Sequence, residues 1–337
     1  MYTAFVEEEV RFNNWNLGCN DLQFLAPHFK AIVDRMGWEK ITQLQSPERQ
    51  LVVDVGANTG DDATAILGSF RSVQGMCLNW GSPLLLLSIE PSPKVFCELV
   101  QAMQKQPRLS QFEDVHLLNI ALSSQSGNLI FQDPGNEGGR LIGKNISNPF
   151  HSNPMTYDTW TKVTKCQLPS NNIQNHTVDY DRHTIVPTYT LDLLMDSLEI
   201  LGKLGHRQNS SLTDRIFVLK IDTEGHDYDV LLGGKQLLQQ KRVDFVIFET
   251  SNNSLLKASI KFMAAVGYEC YLLAPKWLVP LHAEHHWYQH MDNYTTDWWG
   301  NALCAISGSK TMGMLWRSYH SDDLQMVNSF EILHGKT

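Results

Sequence analysis

The chain has 337 residues, 42% of them hydrophobic and 19% charged, and its 27 Lys and Arg against 36 Asp and Glu give a formal net charge of -9. That is ample apolar material for one large α/β domain with insertions, and it excludes intrinsic disorder and collagen-like repeats. The acidic balance also argues against nucleic acid as a main partner, because a phosphate-binding domain carries a basic excess.

The first thirty residues hold Glu7, Glu8 and Glu9 and no basic stretch running into an apolar one, so no signal peptide is expected and a cytoplasmic location is the default. Sequons begin at Asn145, Asn175, Asn209, Asn252 and Asn293 and matter only for a chain routed through the secretory pathway. Asn20 to Ile41 reads as an amphipathic helix, with Leu22, Leu25, Phe29, Ile32, Val33 and Met36 at helical spacing behind an Asn20 cap. Residues 1–48 are expected to form a helical extension, 49–310 the main domain and 311–337 a tail. The six cysteines, Cys19, Cys77, Cys97, Cys166, Cys270 and Cys304, contain no CxxC pair, so neither a zinc ribbon nor a disulfide framework is implied.

From Leu51 short apolar runs alternate with segments long enough for helices: Leu51–Val55, Leu84–Ile89, Val115–Leu122, Ile216–Ile221 and Val243–Phe248. Strands apolar on both faces belong to a parallel sheet covered by helices on both sides. The longest apolar run, Pro83 to Ile89, is far short of the roughly 18 residues that span a bilayer, so no membrane span is expected. Asp133 to Pro187 is polar and aperiodic and reads as an inserted lid or substrate loop; Gly202 to Asp214 reads as a surface loop. The last third holds a helix at Leu255–Val266, a strand at Tyr268–Leu273, an aromatic and His-rich segment and a strand at Ala302–Ser307.

LVVDVGANTGDDATAIL, from Leu51 to Leu67, is a buried strand, a glycine turn at Gly56 and Gly60, and a helix start. Such a turn brings backbone close to a ligand, and the helix N-terminus offers free N–H groups to an anionic group. The spacing is not GxGxxG, since Asn58 and Asp61 stand where the second and third glycines belong. Asp61 and Asp62 would repel a pyrophosphate and suit a ligand with an ammonium or sulfonium charge. Glu90 ends the next strand in SIEPSP, where a carboxylate accepts two hydrogen bonds from a ribose diol. A solvated strand end is the alternative for Glu90 taken alone; together the two strings favour an adenosyl ligand.

VDVGANTG (Val53–Gly60), IEPSP (Ile89–Pro93), NIALSSQSG (Asn119–Gly127), LKIDTEGHDYDVLLGG (Leu219–Gly234) and FE (Phe248, Glu249) come in an order that resembles the FkbM-type S-adenosylmethionine-dependent methyltransferases, with Gly300 and Asn301 looking like that family's late Gly-Asn pair. The resemblance implies a class I methyltransferase (Rossmann-like) fold, a mainly parallel seven-stranded sheet with helices on both faces, and methyl transfer to a hydroxyl oxygen. Carried over by position, Asp54, Gly56, Asn58 and Gly60 would line the methionine end of S-adenosylmethionine, Glu90 would hold its ribose, and Ala121 and Ser123 would lie by the adenine.

Transfer to a hydroxyl needs a group that aligns the oxygen and takes its proton. LKIDTEGHDYD offers Asp222, Glu224 and His226 just after a buried strand, at the carboxyl edge where open α/β sheets bind ligands. Asp222 is the first choice; Glu224 alternatively holds the turn, His226 alternatively serves structure, and Asp227 and Asp229 read as charges favourable to a helix start. Asp222 and Glu249 end neighbouring expected strands, so a divalent cation is a second expectation, although no third ligand follows from spacing. His282, His285, His286 and His290, with Trp287, Trp298 and Trp299, read as a polar, aromatic acceptor loop in preference to a transition-metal site. The acceptor is expected to be a hydroxyl of a glycan, a lipid or a small-molecule secondary metabolite. The competing readings are a nicotinamide-dependent oxidoreductase, which the absent GxGxxG opposes, and a noncatalytic adenosyl-binding module.

Overall fold

The computed structural model describes residues 25–33, 35, 50–71, 84–105, 115–133, 139–146, 155–156, 159–160, 164–166, 182–200, 215–249, 253–273, 278–281 and 300–319. A helical segment over 25–33 precedes β1 (Gln50–Val55), α1 (Asp61–Arg71), β2 (Leu84–Ile89), α2 (Pro93–Lys105), β3 (Val115–Leu118), β4 (Ala121–Leu122), β5 (Gly127–Asp133), β6 (Arg140–Ile146) and β7 (Arg182–Tyr189). Then come α3 (Leu191–Ile200), β8 (Ile216–Ile221), α4 (Asp227–Gly233), α5 (Lys235–Gln239), β9 (Val243–Glu249), α6 (Asn253–Ala265), β10 (Tyr268–Leu273), β11 (Leu278–Pro280), β12 (Asn301–Ile306) and α7 (Lys310–Tyr319).

The main sheet runs β11-β10-β12-β9-β8-β1-β2-β3. The five strands from β9 to β3 pair in parallel, while β12 is antiparallel to both β9 and β10. That is the class I methyltransferase order, with β11 added at one edge as an eighth strand. Because successive side chains of a strand face opposite sides, each central strand feeds two cores. Leu51, Val53 and Val55 of β1 join Leu85, Leu87 and Ile89 of β2 on one side, and Val52 and Leu86 join Phe217, Phe245 and Leu303 on the other. The second core also takes Leu25 and Phe29 from the N-terminal helical segment and Met312 and Trp316 from α7. His28 Nδ1 lies 2.9 Å from Ser318 Oγ, so the two ends of the described chain meet on the same face. Leu25, Phe29, Ile32 and Val33 are buried as their spacing predicts; Asn20, Leu22 and Met36 lie outside the described residues.

Three expectations change. The apolar run Val115–Leu122 is two strands, because the chain turns at Asn119, whose side-chain amide donates to the carbonyls of Glu90 and Pro91 at 2.8 and 3.1 Å. Ala121 and Leu122 leave the main sheet and pair with Thr188 and Tyr189 of β7. The polar stretch from Asp133 to Pro187 is not a plain loop: its two ends are β6 and β7, which join β4 and β5 in a second sheet ordered β4-β7-β5-β6. Between them, Met155 and Trp160 are buried in the first core, and Trp160 meets the His116 ring of β3 edge to face at 5.7 Å. Finally, disulfides join Cys97 to Cys166 and Cys270 to Cys304, where no framework was implied. Cys270 and Cys304 are register partners on β10 and β12, a neighbourhood made by strand pairing across 34 residues of sequence. The loops at 202–214 and 72–81 and the His282–His290 and Trp287, Trp298 and Trp299 cluster lie outside the described residues. Among the described residues no helix is long and apolar enough to cross a membrane.

Candidate functional site

The carboxyl ends of β1, β2 and β8 meet at one cavity of about 320 Å³, within the size range of small-ligand sites. The turn after β1 folds over the end of β2, the N–H groups of Gly56 and Ala57 both donating to Ile89 O at 2.9 and 3.0 Å. Its backbone is left-handed at Gly56 (φ 79°), Asn58 (φ 47°) and Gly60 (φ 92°). Asn tolerates that region better than most residues with a side chain. At Gly56 glycine is required twice over, because a Cβ there would also sit 1.7 Å from the carbonyl oxygen of Asp222.

Glu90 is buried at the cavity wall and ties three segments together. Its Oε2 accepts the Asn58 N–H at 3.0 Å, its Oε1 accepts the Ser92 N–H at 2.8 Å, and its carbonyl takes the Asn119 amide at 2.8 Å. A carboxylate has about four acceptor sites, so a strand-end glutamate can in principle accept from a ribose diol as well as from backbone N–H groups.

The opposite wall is a charge cluster. Asp54 and Lys220 are register partners on β1 and β8, so their side chains share one face of the sheet. Lys220 Nζ lies 2.9 Å from Asp62 Oδ2, 3.5 Å from Asp54 Oδ1 and 3.5 Å from Asp222 Oδ2. Burial alone would lower the Lys220 pKa, but the carboxylates of Asp54, Asp62 and Asp222 hold it well above the usual lysine value. One ammonium does not satisfy three acids. Asp54 is fully buried, neither of its carboxylate oxygens accepts a hydrogen bond, and its pKa is pushed up to about 6 by burial, opposed by Lys220 and aided by Asp62 and Asp222. A cationic group entering the cavity would relieve that imbalance.

Beyond Asp222 the chain turns sharply, with Glu224 at φ 53° and Gly225 at φ 90°. Asp227 of α4 is buried, accepts the Thr223 hydroxyl at 3.0 Å and the Glu249 N–H at 3.3 Å, and has its pKa raised to about 7 by burial and by the charges of Asp222 and Glu249. It is thus a buried tie between β8 and β9 as well as a helix-start charge. Asp227 thus stands near both Asp222 and Glu249 and already accepts from two donors. Among the described residues no group of three or more His, Cys, Asp or Glu side chains is arranged to hold a metal ion.

Of the residues singled out in the sequence, Gly56, Asn58, Asp61, Asp62, Glu90, Ala121, Asp222 and Glu224 line the cavity. Asp54 lies beneath that wall against Lys220, and Gly60 closes the turn with its N–H on Ala57 O at 2.9 Å. Ser123 and His226 stand outside the lining and bond to each other, Oγ to Nε2 at 2.9 Å. His226 Nδ1 faces Asp229 Oδ2 at 3.6 Å, and burial lowers its pKa against the pull of Asp229. Sequence reasoning missed Lys220, although a lone lysine in a buried strand, two residues before an acid and so on the same face, is a legible signal. It also missed Phe131 and Leu141, which reach the cavity from the second sheet beside Ile120 and Leu122 and make that end apolar.

No curated protein matches the chain in sequence. Among solved structures, methyltransferase FkbM from Methylobacillus flagellatus KT aligns over 77% of this chain and 44% of its own at 12% identity and a TM-score of 0.38. The chain therefore spans less than half of that relative's length. Precorrin-6y C5,15-methyltransferase from Geobacter metallireducens GS-15 aligns over 80% and 87% at 8% identity and a TM-score of 0.33. The plantazolicin methyltransferase BpumL, solved in complex with SAH, aligns over 90% and 98% at 8% identity and a TM-score of 0.28. The Methyltransferase FkbM domain matches residues 54–270, from the acid at the end of β1 to the cysteine of β10 and so more than half of the chain, and the protein belongs to the FkbM methyltransferase family.

Proposed function

We propose that the protein transfers the methyl group of S-adenosylmethionine to a hydroxyl oxygen of a small-molecule or glycan acceptor. The observation that carries this reading is the polarity of the cavity: an acidic end at Asp62 and Asp222, with Asp54 unsatisfied beneath it, Glu90 between, and an apolar end at Ile120, Ala121, Leu122 and Phe131. That sequence of surfaces suits a cationic amino-acid moiety, a ribose and an adenine. When bound, the donor supplies an electrophilic methyl on a sulfonium, open to in-line displacement by an oxygen.

The chain's own residues bind, orient and manage one proton. In this reading Asp54 and Asp62 face the donor's ammonium, the turn from Gly56 to Gly60 and the N-terminus of α1 approach its carboxylate, and Glu90 accepts from the ribose hydroxyls. Ala121 packs by the adenine, and Ser123 acts at one remove, through His226, to fix the loop that carries Asp222. Asp222, lining the cavity and half-released to solvent compared with Asp54, accepts the hydrogen bond of the acceptor hydroxyl, aligns its oxygen and takes up its proton. Glu224 lies at the same wall in a strained turn, where it guides the acceptor toward Asp222. A divalent cation is not needed for these roles.

Calorimetric titration with S-adenosylmethionine, S-adenosylhomocysteine and NAD, with and without magnesium, tests the donor. Binding of both sulfur ligands and not of NAD is expected; NAD binding alone would replace the reading with an oxidoreductase. For the transfer step, Asp222→Asn is expected to keep the fold and the binding of S-adenosylhomocysteine while lowering turnover at saturating donor at least tenfold in an acceptor screen. Wild-type turnover by that variant would remove Asp222 from the step, and a wild type that binds donor yet methylates nothing would leave a binding module.

A further inference from the structure

The cluster around Lys220 bears on the difference between donor and product. Lys220 Nζ contacts Asp54, Asp62 and Asp222, and the lysine, Asp62 and Asp222 all line the cavity. One positive charge thus stands among three acids, and Asp54, fully buried at the base of the cluster, accepts no hydrogen bond at either carboxylate oxygen. Resting on the function proposed above, we infer that Lys220 sets how strongly the site prefers the charged methyl donor over its neutral product.

Charge is conserved in the transfer. During transfer the C–S bond to the methyl breaks, the C–O bond forms, both S–C electrons stay on sulfur, and the hydroxyl proton leaves. Donor and product share the same ammonium, carboxylate, ribose and base, so they differ only in the methyl and the sulfonium charge. Every interaction with the common groups cancels in the ratio of their affinities. What remains is the potential that the fixed charges of the wall produce at the sulfur. Three acids make that potential negative and favour the donor; the buried ammonium weakens it. Without Lys220 the donor would be held more tightly relative to the product, and without one of the acids the preference would shrink. By this device a spent thioether is released in exchange for a fresh sulfonium, with Lys220 keeping the acids from binding any cation indiscriminately.

The test is calorimetry on the full chain at pH 8, titrating S-adenosylmethionine and S-adenosylhomocysteine separately into wild type, Lys220→Met, Asp62→Asn and the double variant. A unit charge altered roughly 10 Å from another, at an effective dielectric constant of about 20, changes affinity by about tenfold. The donor-to-product affinity ratio is expected to rise about tenfold in Lys220→Met, to fall about tenfold in Asp62→Asn, and to return to the wild-type value in the double variant, whose net charge is restored. Lys220→Arg, which keeps the charge, is expected to keep the ratio. Should Lys220→Met fail to fold by circular dichroism, the Asp62→Asn ratio decides alone. A ratio that stays within twofold of wild type in the folded charge variants overturns the inference while leaving the donor assignment standing; a wild type that binds neither ligand removes the proposed function itself.

Discussion

Gly56 and Asp222 touch backbone to backbone: a Cβ built on Gly56 would lie 1.7 Å from the carbonyl oxygen of Asp222, and the Asp222 N–H donates to Val55 O at 2.9 Å. The turn after β1 and the acid that follows β8 are thereby held in one piece. Gly56→Ala must both leave a left-handed φ of 79° and push the ends of β1 and β8 apart. A loss of about 4 kcal/mol or more is expected, read as a large drop in Tm with donor binding abolished; a Tm within a degree or two of wild type would show that the turn yields.

Glu90 ties the fold together, its carboxylate closing on the N–H groups of Asn58 and Ser92, and in the proposed function it also accepts from the donor's ribose. Glu90→Gln turns one acceptor into a donor that faces an N–H. We expect S-adenosylhomocysteine affinity to fall by about 1.5 to 3 kcal/mol and 5′-methylthioadenosine, which keeps the ribose and lacks the amino acid, to weaken equally. Loss confined to the homocysteine ligand would place Glu90 at the wrong end.

Asp54, with a pKa of about 6, is protonated in the free protein at pH 5 and ionised at pH 7. A cationic ligand binds the ionised form, so affinity rises as pH climbs through about 6 and declines below it, by up to tenfold per pH unit for one proton. Titrations from pH 5 to 8 should show this slope in wild type and a flat profile in Asp54→Asn. An unchanged slope in the variant would assign the proton elsewhere.

Asp227 carries the opposite sign from a salt-bridged acid. Its pKa is about 7 in the fold against 3.8 for a free aspartate carboxyl, so the folded protein binds the extra proton and stability falls as pH rises from about 4 through 7. Asp227→Asn keeps one acceptor and carries no charge. It is expected to match wild type near pH 4 and to exceed it by roughly 3 kcal/mol at pH 8, measured by urea unfolding at both values; equal stability at pH 8 would mean that Asp227 is ionised without penalty.

The Cys97–Cys166 disulfide closes 69 residues and fastens the inserted segment to α2. Loop-closure entropy assigns such a crosslink about 4 kcal/mol. Peptide mapping without reduction should recover Cys97 and Cys166 in one linked species, and Cys97→Ser should lower Tm in proportion. Free thiols at both positions in protein prepared without reductant would contradict the pairing.

What the sequence determines by itself here is local. Apolar runs placed β1, β2, β8 and β9 because a strand buried on both faces needs no partner to declare it, and the turn residues Gly56, Asn58 and Gly60 announced a backbone that few other residues adopt. The acids Glu90 and Asp222 were legible because strand ends at the carboxyl edge of a parallel sheet are where ligands bind. Tertiary structure decided the rest. Val115–Leu122 has one apolar texture, yet only the pull of Asn119 on the Glu90 and Pro91 carbonyls splits it between two sheets. The second sheet escaped notice because β7 owes its pairing to β4 and β5, far back in the chain, and β6, although it pairs with the neighbouring β5, has a polar composition that does not declare a strand. Ser123 and His226 meet across 103 residues, and the Lys220 cluster adds to the neighbouring Asp222 the acids Asp54 of β1 and Asp62 of α1, which no spacing in the chain relates to that lysine. Periodicity reports which face of an element is buried; which charges share that burial depends on how the elements pack.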